Sequence, residues 1–388
     1  MLLLFEREIC MKRSAKKWLV LALLASTTLG PANAQSVRPE VVAQDLQHPW
    51  AMAFLPAGRI LVTERPGRMR VIEGNGAMGP ALGGVPSVVA QGQAGLLDVL
   101  LDSNFARNRT LYFCFSEPSQ SGNSTALGRA RLSDDRRRLE EVKVIFSQQP
   151  KVASSAHFGC RIMESQKDGK ADGMLFMTLG ERFVRKDDAQ TLDNHHGKII
   201  RINKDGSVPA DNPFVTRTGA LPEIWSYGHR NPQGAVLSPE GVLWTHEHGP
   251  QGGDEINLPQ AGRNYGWPVI TYGENYGGGK IGDGITAKNG MEQPLHHWTP
   301  SIAPSGMTFL TSDRYGKGWV GNLFVGSMKF RYLNRIELSE PFKGTVRHEH
   351  KLLADLGARI RDVRQGPDGL LYVLTDSTQG QLIRLQPN

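Results

Sequence analysis

The chain has 388 residues, 39% hydrophobic and 21% charged, the make-up of a folded protein, which excludes a disordered tail, a low-complexity tract and collagen. Its 44 Gly and 23 Pro make about 17% of the chain against ~12% in average usage, so many turns separate short elements and β-structure is favoured over a helical bundle. The formal charge of +7 is spread through acidic residues rather than gathered in a stripe, which gives no case for nucleic acid.

Taken in chain order, the first element is a leader. Lys12, Arg13, Lys16 and Lys17 precede the apolar run Trp18 to Ala25, and Ala32-Asn33-Ala34 has the small-x-small form of a cleavage site. Residues 1–34 therefore read as a secretory signal cleaved after Ala34. A membrane anchor needs ~20 apolar residues, whereas Ser26-Thr27-Thr28 and Gly30-Pro31 interrupt this run early, so stable membrane insertion is not expected. Glu6 and Glu8 sit ahead of the basic segment, which makes Met11 an alternative initiator. The mature chain keeps 40 Lys and Arg against 36 Asp and Glu, a mild excess that says little about partners.

Residues 35–388 contain no Ser/Pro/Gly linker or charge block that divides them. Instead a short apolar strand recurs six times: AGRILVTER, RTLYFCFSE, GMLFMTLGE, GVLWTHEHG, GNLFVGSMK and DGLLYVLTD. Its central leucines are Leu61, Leu111, Leu175, Leu243, Leu323 and Leu371, spaced 50, 64, 68, 80 and 48 apart. A unit of that size holds four short antiparallel strands, the blade of a propeller. The expected fold is a single all-β domain, a six-bladed β-propeller of four-stranded antiparallel blades, with the longest loops between Leu243 and Leu323. No stretch of the mature chain keeps helical apolar spacing for three turns without Gly or Pro. A pair of ordinary β-sandwiches is the competing fold.

Most repeated strands run into polar residues: Glu64 and Arg65, Glu117, Glu181, His246-Glu247-His248, Lys329 and Asp376. In a propeller such ends can meet around one mouth of the channel. His157, in SSAHFGCRIM, has no carboxylate within five residues, and alone reads as an ordinary core or surface histidine. Cys114 and Cys160 lie 46 apart, a spacing that leaves their pairing open. WSYGHRNPQG, residues 225–234, offers the planar fork of Arg230 and the amide of Asn231. Lys329, Arg359 and Arg361 add cations, and the period of two puts Arg359 and Arg361 on one face of a strand. Together these would suit a polyanionic ligand; singly, each is a surface salt-bridge partner.

The densest polar segment is HEHGPQGGDEINLPQAGRNYGWP, residues 246–268. Its Gly and Pro force tight turns that turn carbonyls inward, and carbonyls with Glu255 suit a hard cation such as calcium. A transition metal on His246 and His248 is the rival, and simple turn capping by Asp254 and Glu255 the plain alternative.

Together these segments resemble the soluble glucose/sorbosone dehydrogenase family, quinoproteins that use pyrroloquinoline quinone, and above all its periplasmic aldose sugar dehydrogenase branch. The resemblance spans essentially the whole mature chain, from HPWAMAFLPAGRILVTERPGRMRVI through GQAGLLDVLL, HFGCRIM, GERF, GKIIRI, PEIWSYGHRNPQG, the segment 246–268 and SGMTF to RIRDVRQGPDGLLYVLTD. It implies a periplasmic enzyme that oxidises the anomeric carbon of an aldose to an aldonolactone and passes electrons to an unidentified external acceptor. It also implies that Gln93, Arg230, Asn231, Lys329, Arg359 and Arg361 hold the quinone, with Tyr276 stacking or hydrogen bonding nearby. Calcium would lie on the carbonyls of Gly249 and Pro250, with a second site at Glu255 and Tyr265. His157 falls on the general base. The glucose enzymes of the family carry an Asp directly before that His, where this chain has Ala156, so something else must orient the imidazole. The nearer relatives imply a monomer and the glucose enzymes a dimer. Because the fold does not fix function, a calcium-dependent lactonase and a non-catalytic binding propeller remain as alternatives.

Overall fold

Short apolar runs broken by glycine turns fold back on themselves, and in the computed structural model, which describes residues 36–388, they make six four-stranded antiparallel sheets. The first blade holds β2 (Pro49–Leu55), β3 (Arg59–Glu64), β4 (Arg68–Ile72) and β5 (Met78–Ala81). The second holds β6 (Leu96–Leu101), β7 (Thr110–Ser119), β8 (Gly122–Leu132) and β9 (Leu139–Ser147). The third holds β10 (Ile162–Lys167), β11 (Lys170–Leu179), β12 (Lys198–Asn203) and β13 (Ile224–Tyr227). The fourth holds β14 (Pro232–Leu237), β15 (Leu243–Glu247), β16 (Asp254–Asn257) and β17 (His296–Trp298). The fifth holds β18 (Pro304–Phe309), β19 (Leu323–Ser327), β20 (Tyr332–Glu340) and β21 (Lys343–Leu352). The sixth takes β22 (Ile360–Gln365), β23 (Leu371–Thr375) and β24 (Gly380–Pro387) from one end of the described chain and β1 (Val37–Leu46) from the other.

The fold is the expected six-bladed propeller. First strands pack against the first strands of neighbouring blades and ring the channel. Each recurrent leucine lies on the second strand of its blade, and all six are buried. Sheets cover both faces of these strands, which is why LYVLT and LWTHE are buried from end to end. β1 closes the ring by pairing antiparallel to β24, from Val37 opposite Pro387 to Leu46 opposite Gly380. The long insertion expected in the fourth blade lies between β16 and β17. Cys114 and Cys160 are joined, with Cα atoms 6.0 Å apart, and staple β7 to the segment entering β10. Residues 1–34, the expected leader, lie outside the described residues. No helix among the described residues is long and apolar enough to cross a membrane.

Candidate active site

Within the channel, side chains from the strand ends form a funnel whose wall includes Arg65, Gln93, His248, Arg359, Arg361 and Asp376. Below it the channel is crossed by a buried ionic network. Arg161 lies 3.3 Å from Asp98 and 3.0 Å from Asp362, while Arg364 lies 2.6 Å from Asp98 and 3.1 Å from Asp362. The backbone N–H groups of Ile162 and Met52 donate to the same two carboxylates, at 2.8 and 3.2 Å. Buried charges persist where partners satisfy them, and these four side chains line a separate cavity together with residues of the blades' first strands.

His157 sits beside the funnel wall, 4% exposed. Its Nδ1 lies 2.8 Å from Glu181 Oε2. A carboxylate only accepts, so Nδ1 carries the proton and Nε2 keeps the lone pair a base needs. Burial holds the imidazole below its ordinary pKa, opposed by the hydrogen bond and charge of Glu181. Glu181 was visible in the sequence as a strand end, but its link to His157 was not, because 24 residues separate them. It answers the question raised by Ala156.

His157 is held on an unusual backbone. His157 has φ +53°, a left-handed conformation, and its N–H donates to Gln93 Oε1 at 2.8 Å. Gly180 lets the segment close: a Cβ there would lie 2.2 Å from the His157 carbonyl oxygen.

Arg230 and Asn231 are 3% and 1% exposed. Arg230 Nη1 donates to the carbonyls of Gly249 (2.8 Å) and His248 (3.1 Å), and its Nη2 lies 3.3 Å from the Tyr276 hydroxyl. Glu181 N–H donates to the Arg230 carbonyl at 2.9 Å, and Gly159 N–H donates to Asn231 Oδ1 at 3.0 Å, so the His157 segment and Arg230 share one frame. Arg230 Nε and Asn231 Nδ2 are buried donors without a partner among the described residues. Such donors are costly unless a ligand meets them. Across the funnel Arg359 and Arg361 both reach Asp376, at 3.7 and 3.3 Å, although Arg359 lies just before β22 rather than on it. Burial lowers Arg361 to about 10, still charged at neutral pH. The donor set suits a ligand with several carboxylates.

The turn at Gly249 is closed by Asp254, whose Oδ1 accepts the Gly249 N–H at 2.8 Å. Glu255 and Glu247 face each other, bridged by Asn257 Nδ2 at 3.2 and 3.1 Å. Burial, then the neighbouring Glu247, pushes Glu255 above the usual carboxylate range. Tyr265 donates its hydroxyl to the Leu258 carbonyl at 2.7 Å and stacks on His229, centroids 4.8 Å apart. Gly249, Glu255 and Tyr265 share one small cavity with Arg230. Pro250 packs against Gly273. Among the described residues no three His, Cys, Asp or Glu side chains are grouped to hold a metal. His248 donates from Nε2 to the Pro304 carbonyl at 2.6 Å, whereas both nitrogens of His246 are buried without a partner, so the two imidazoles have separate surroundings.

The structure thus gathers Gln93, Arg359 and Arg361 at the funnel, and Arg230, Gly249, Glu255 and Tyr265 beside it. Tyr276 is 63% exposed at the mouth. Lys329 is exposed, 5.2 Å above the Phe330 ring, with no ion pair among the described residues. Glu64 and Glu117 point elsewhere, Glu64 to Arg68 and Arg70, Glu117 to Lys151. Sequence reasoning missed Trp50 and Gln233 in the wall; Trp50 lies under the guanidiniums of Arg161 (4.2 Å) and Arg361 (5.8 Å).

The family model for glucose/sorbosone dehydrogenase matches residues 46–384. The chain is 44% identical over 376 residues to the aldose sugar dehydrogenase YliI of Escherichia coli (strain K12), covering 95% of this chain and 98% of the relative. It is 28% identical to quinoprotein glucose dehydrogenase B of Acinetobacter calcoaceticus, covering 94% and 91%. The crystal structure of the soluble E. coli aldose sugar dehydrogenase in its apo-form superposes with a TM-score of 0.86 at 43% identity, covering 91% of this chain and all of that one (100%). The PQQ-bound aldose sugar dehydrogenase of Streptomyces coelicolor superposes with a TM-score of 0.73 at 27% identity, covering 91% and 99%. The sequence motifs, the propeller and these matches agree, and the chain belongs to the glucose/sorbosone dehydrogenase family.

Proposed function

We propose that the protein is an exported, periplasmic quinoprotein that oxidises the anomeric carbon of aldose sugars to aldonolactones. The observation that carries this reading is the pairing of an oriented, buried base with unpartnered buried donors: His157 on Glu181, and Arg230 Nε and Asn231 Nδ2 beside it. When bound, pyrroloquinoline quinone supplies an electrophilic ortho-quinone that accepts hydride, and it carries three carboxylates. Arg230, Asn231, Arg359, Arg361 and Gln93 would hold it, with Tyr276 and Lys329 at the mouth. Oxidation of an anomeric CH–OH removes one hydride and one proton; Nε2 of His157 takes the proton, and Glu181 stabilises the resulting imidazolium.

Calcium would rest on the carbonyls of Gly249 and Pro250, and a second, structural ion near Glu255 and Tyr265. The fit at the second place comes from the facing pair Glu247 and Glu255, whose mutual repulsion a cation would relieve. The staple of Cys114 to Cys160 accords with an oxidising compartment. Electrons would leave to a separate acceptor.

Dye-linked oxidation of a panel of aldoses, with and without added quinone and calcium, tests the reading. Turnover that needs the quinone supports it. No turnover with any sugar, alongside hydrolysis of lactones in the same wells, would replace it with the lactonase alternative.

A further inference from the structure

Beside the base stands an aromatic ring that the proposed chemistry does not yet use. Phe183 is 50% exposed, and the neighbouring Val184 is 62% exposed. Half exposed, this ring forgoes much of the favourable free energy that burying an aromatic side chain brings.

Its backbone is also costly. Arg182 and Phe183 have φ of +66° and +63°, consecutive left-handed residues with Cβ atoms. Val184 N–H donates to the Arg182 carbonyl at 2.7 Å, which makes Phe183 the centre of a γ-turn of the rare positive-φ kind. Each such residue is disfavoured and persists only where its surroundings over-determine it.

The surroundings do so here. The Arg182 side chain is fully buried and donates to the carbonyls of Asn123 (3.1 Å), Ser154 (2.8 Å) and Ala156 (3.3 Å) and to Asn123 Oδ1 (2.6 Å). Its guanidinium lies 3.9 Å from the Phe158 ring centroid. Glu181 Oε2, the atom that orients His157, also accepts the Phe183 N–H. One carboxylate oxygen therefore fixes both the base and the ring. The two rings stand 5.2 Å apart at 85°, so they form a corner.

A pyranose has one polar demand and one apolar demand at such a corner: its anomeric hydroxyl needs the imidazole, and its axial C–H face needs an apolar surface. We propose that Phe183 is the apolar wall of the sugar subsite, against which the C–H face of the aldose packs while His157 meets its anomeric hydroxyl. The assignment deepens the sugar-oxidation reading and rests on it for the identity of the ligand. Tyr276, near Arg230, borders the cofactor cations; Phe183 borders the reacting carbon.

The test compares wild type with Phe183→Ala and Phe183→Tyr in two ways. In turnover with added quinone, Phe183→Ala is expected to raise KM for aldopyranoses roughly three- to tenfold, the size of one aromatic contact, with little change in kcat. Phe183→Tyr keeps the ring and is expected to restore KM. In saturation-transfer NMR of D-glucose with the quinone-free protein, irradiation of aromatic protons is expected to reach the sugar C–H protons in wild type and much less in Phe183→Ala. An unchanged KM and unchanged transfer in an active enzyme would overturn the wall while leaving the sugar dehydrogenase reading intact. Transfer through Phe183 in a protein that oxidises no sugar would keep the wall and overturn the dehydrogenase. A loss confined to kcat, with KM and transfer unmoved, would make Phe183 a support for His157 and overturn the wall.

Discussion

Glu181 Oε2 lies 2.8 Å from His157 Nδ1, across 24 residues of sequence and just beyond the end of β11. The carboxylate fixes the tautomer and, on the proposed reading, would stabilise the positive charge that proton abstraction creates. Glu181→Gln keeps size and reach but removes that charge. Turnover should fall by roughly 10²–10⁴-fold, with quinone binding retained. Dye-linked rates and a quinone titration on the same variant check both halves. A His157→Ala protein should likewise load quinone and lose nearly all turnover; loss of loading instead would make His157 a cofactor ligand.

The same pair sets the pH profile. If His157 is the base, as proposed, it can act only when neutral, and burial holds its pKa below the ordinary value. Activity should therefore rise with pH through one ionisation under ~6.5 and stay level above it. Because Glu181 opposes the lowering, its replacement by Gln should move the rising limb to still lower pH. A limb above pH 7 in wild type would contradict this.

Arg361 and Lys329 should behave differently. Arg361 is largely buried and paired with Asp376 at the funnel, whereas Lys329 is exposed above Phe330. Arg361→Ala, or Arg230→Ala, should weaken quinone binding about 10- to 100-fold, as expected when a buried carboxylate loses a partner. Lys329→Ala should weaken it by no more than about fivefold, the scale of an exposed ion pair. Equilibrium titration followed by tryptophan fluorescence separates the two.

Gly180 has no room for a side chain, since a Cβ would lie 2.2 Å from the His157 carbonyl oxygen. Gly180→Ala must push the base segment off the end of β11. The expected cost is about 1–3 kcal/mol of stability together with a loss of turnover, read by thermal unfolding and by rate.

The bond from Cys114 to Cys160 closes a loop across two blades, with a sequence separation of 46. The double variant Cys114→Ala/Cys160→Ala should lose about 2–4 kcal/mol, seen as a lower Tm in thermal unfolding. An unchanged Tm would mean that the packing of β7 against the third blade holds this junction unaided.

Much of the fold was legible because the second strand of each blade is covered on both faces, so Leu61, Leu111, Leu175, Leu243, Leu323 and Leu371 sit in continuous apolar runs that stand out from glycine-rich surroundings. The cations were legible because Arg359 and Arg361 lie two residues apart beside a recognisable strand and Arg230 lies in a dense polar segment. Partners across blades were not. Glu181, Asp376 and Trp50 owe their roles to the ring, which brings together residues that no local period connects. Phe183 was hidden for another reason: nothing in its neighbours' chemistry announces a left-handed backbone at two successive residues with side chains.

The pairing of β1 with β24 has a consequence for biogenesis. Of the strands in the ring β1 is made before the others and its partner β24 after them, so the sixth blade stays a half-built sheet until β24 emerges. The ring locks only once β24 has been made. A product truncated after β23 would strand β1 without its neighbour and offer bare strand edges to other chains. Clipping near either end should therefore yield aggregates rather than a smaller enzyme.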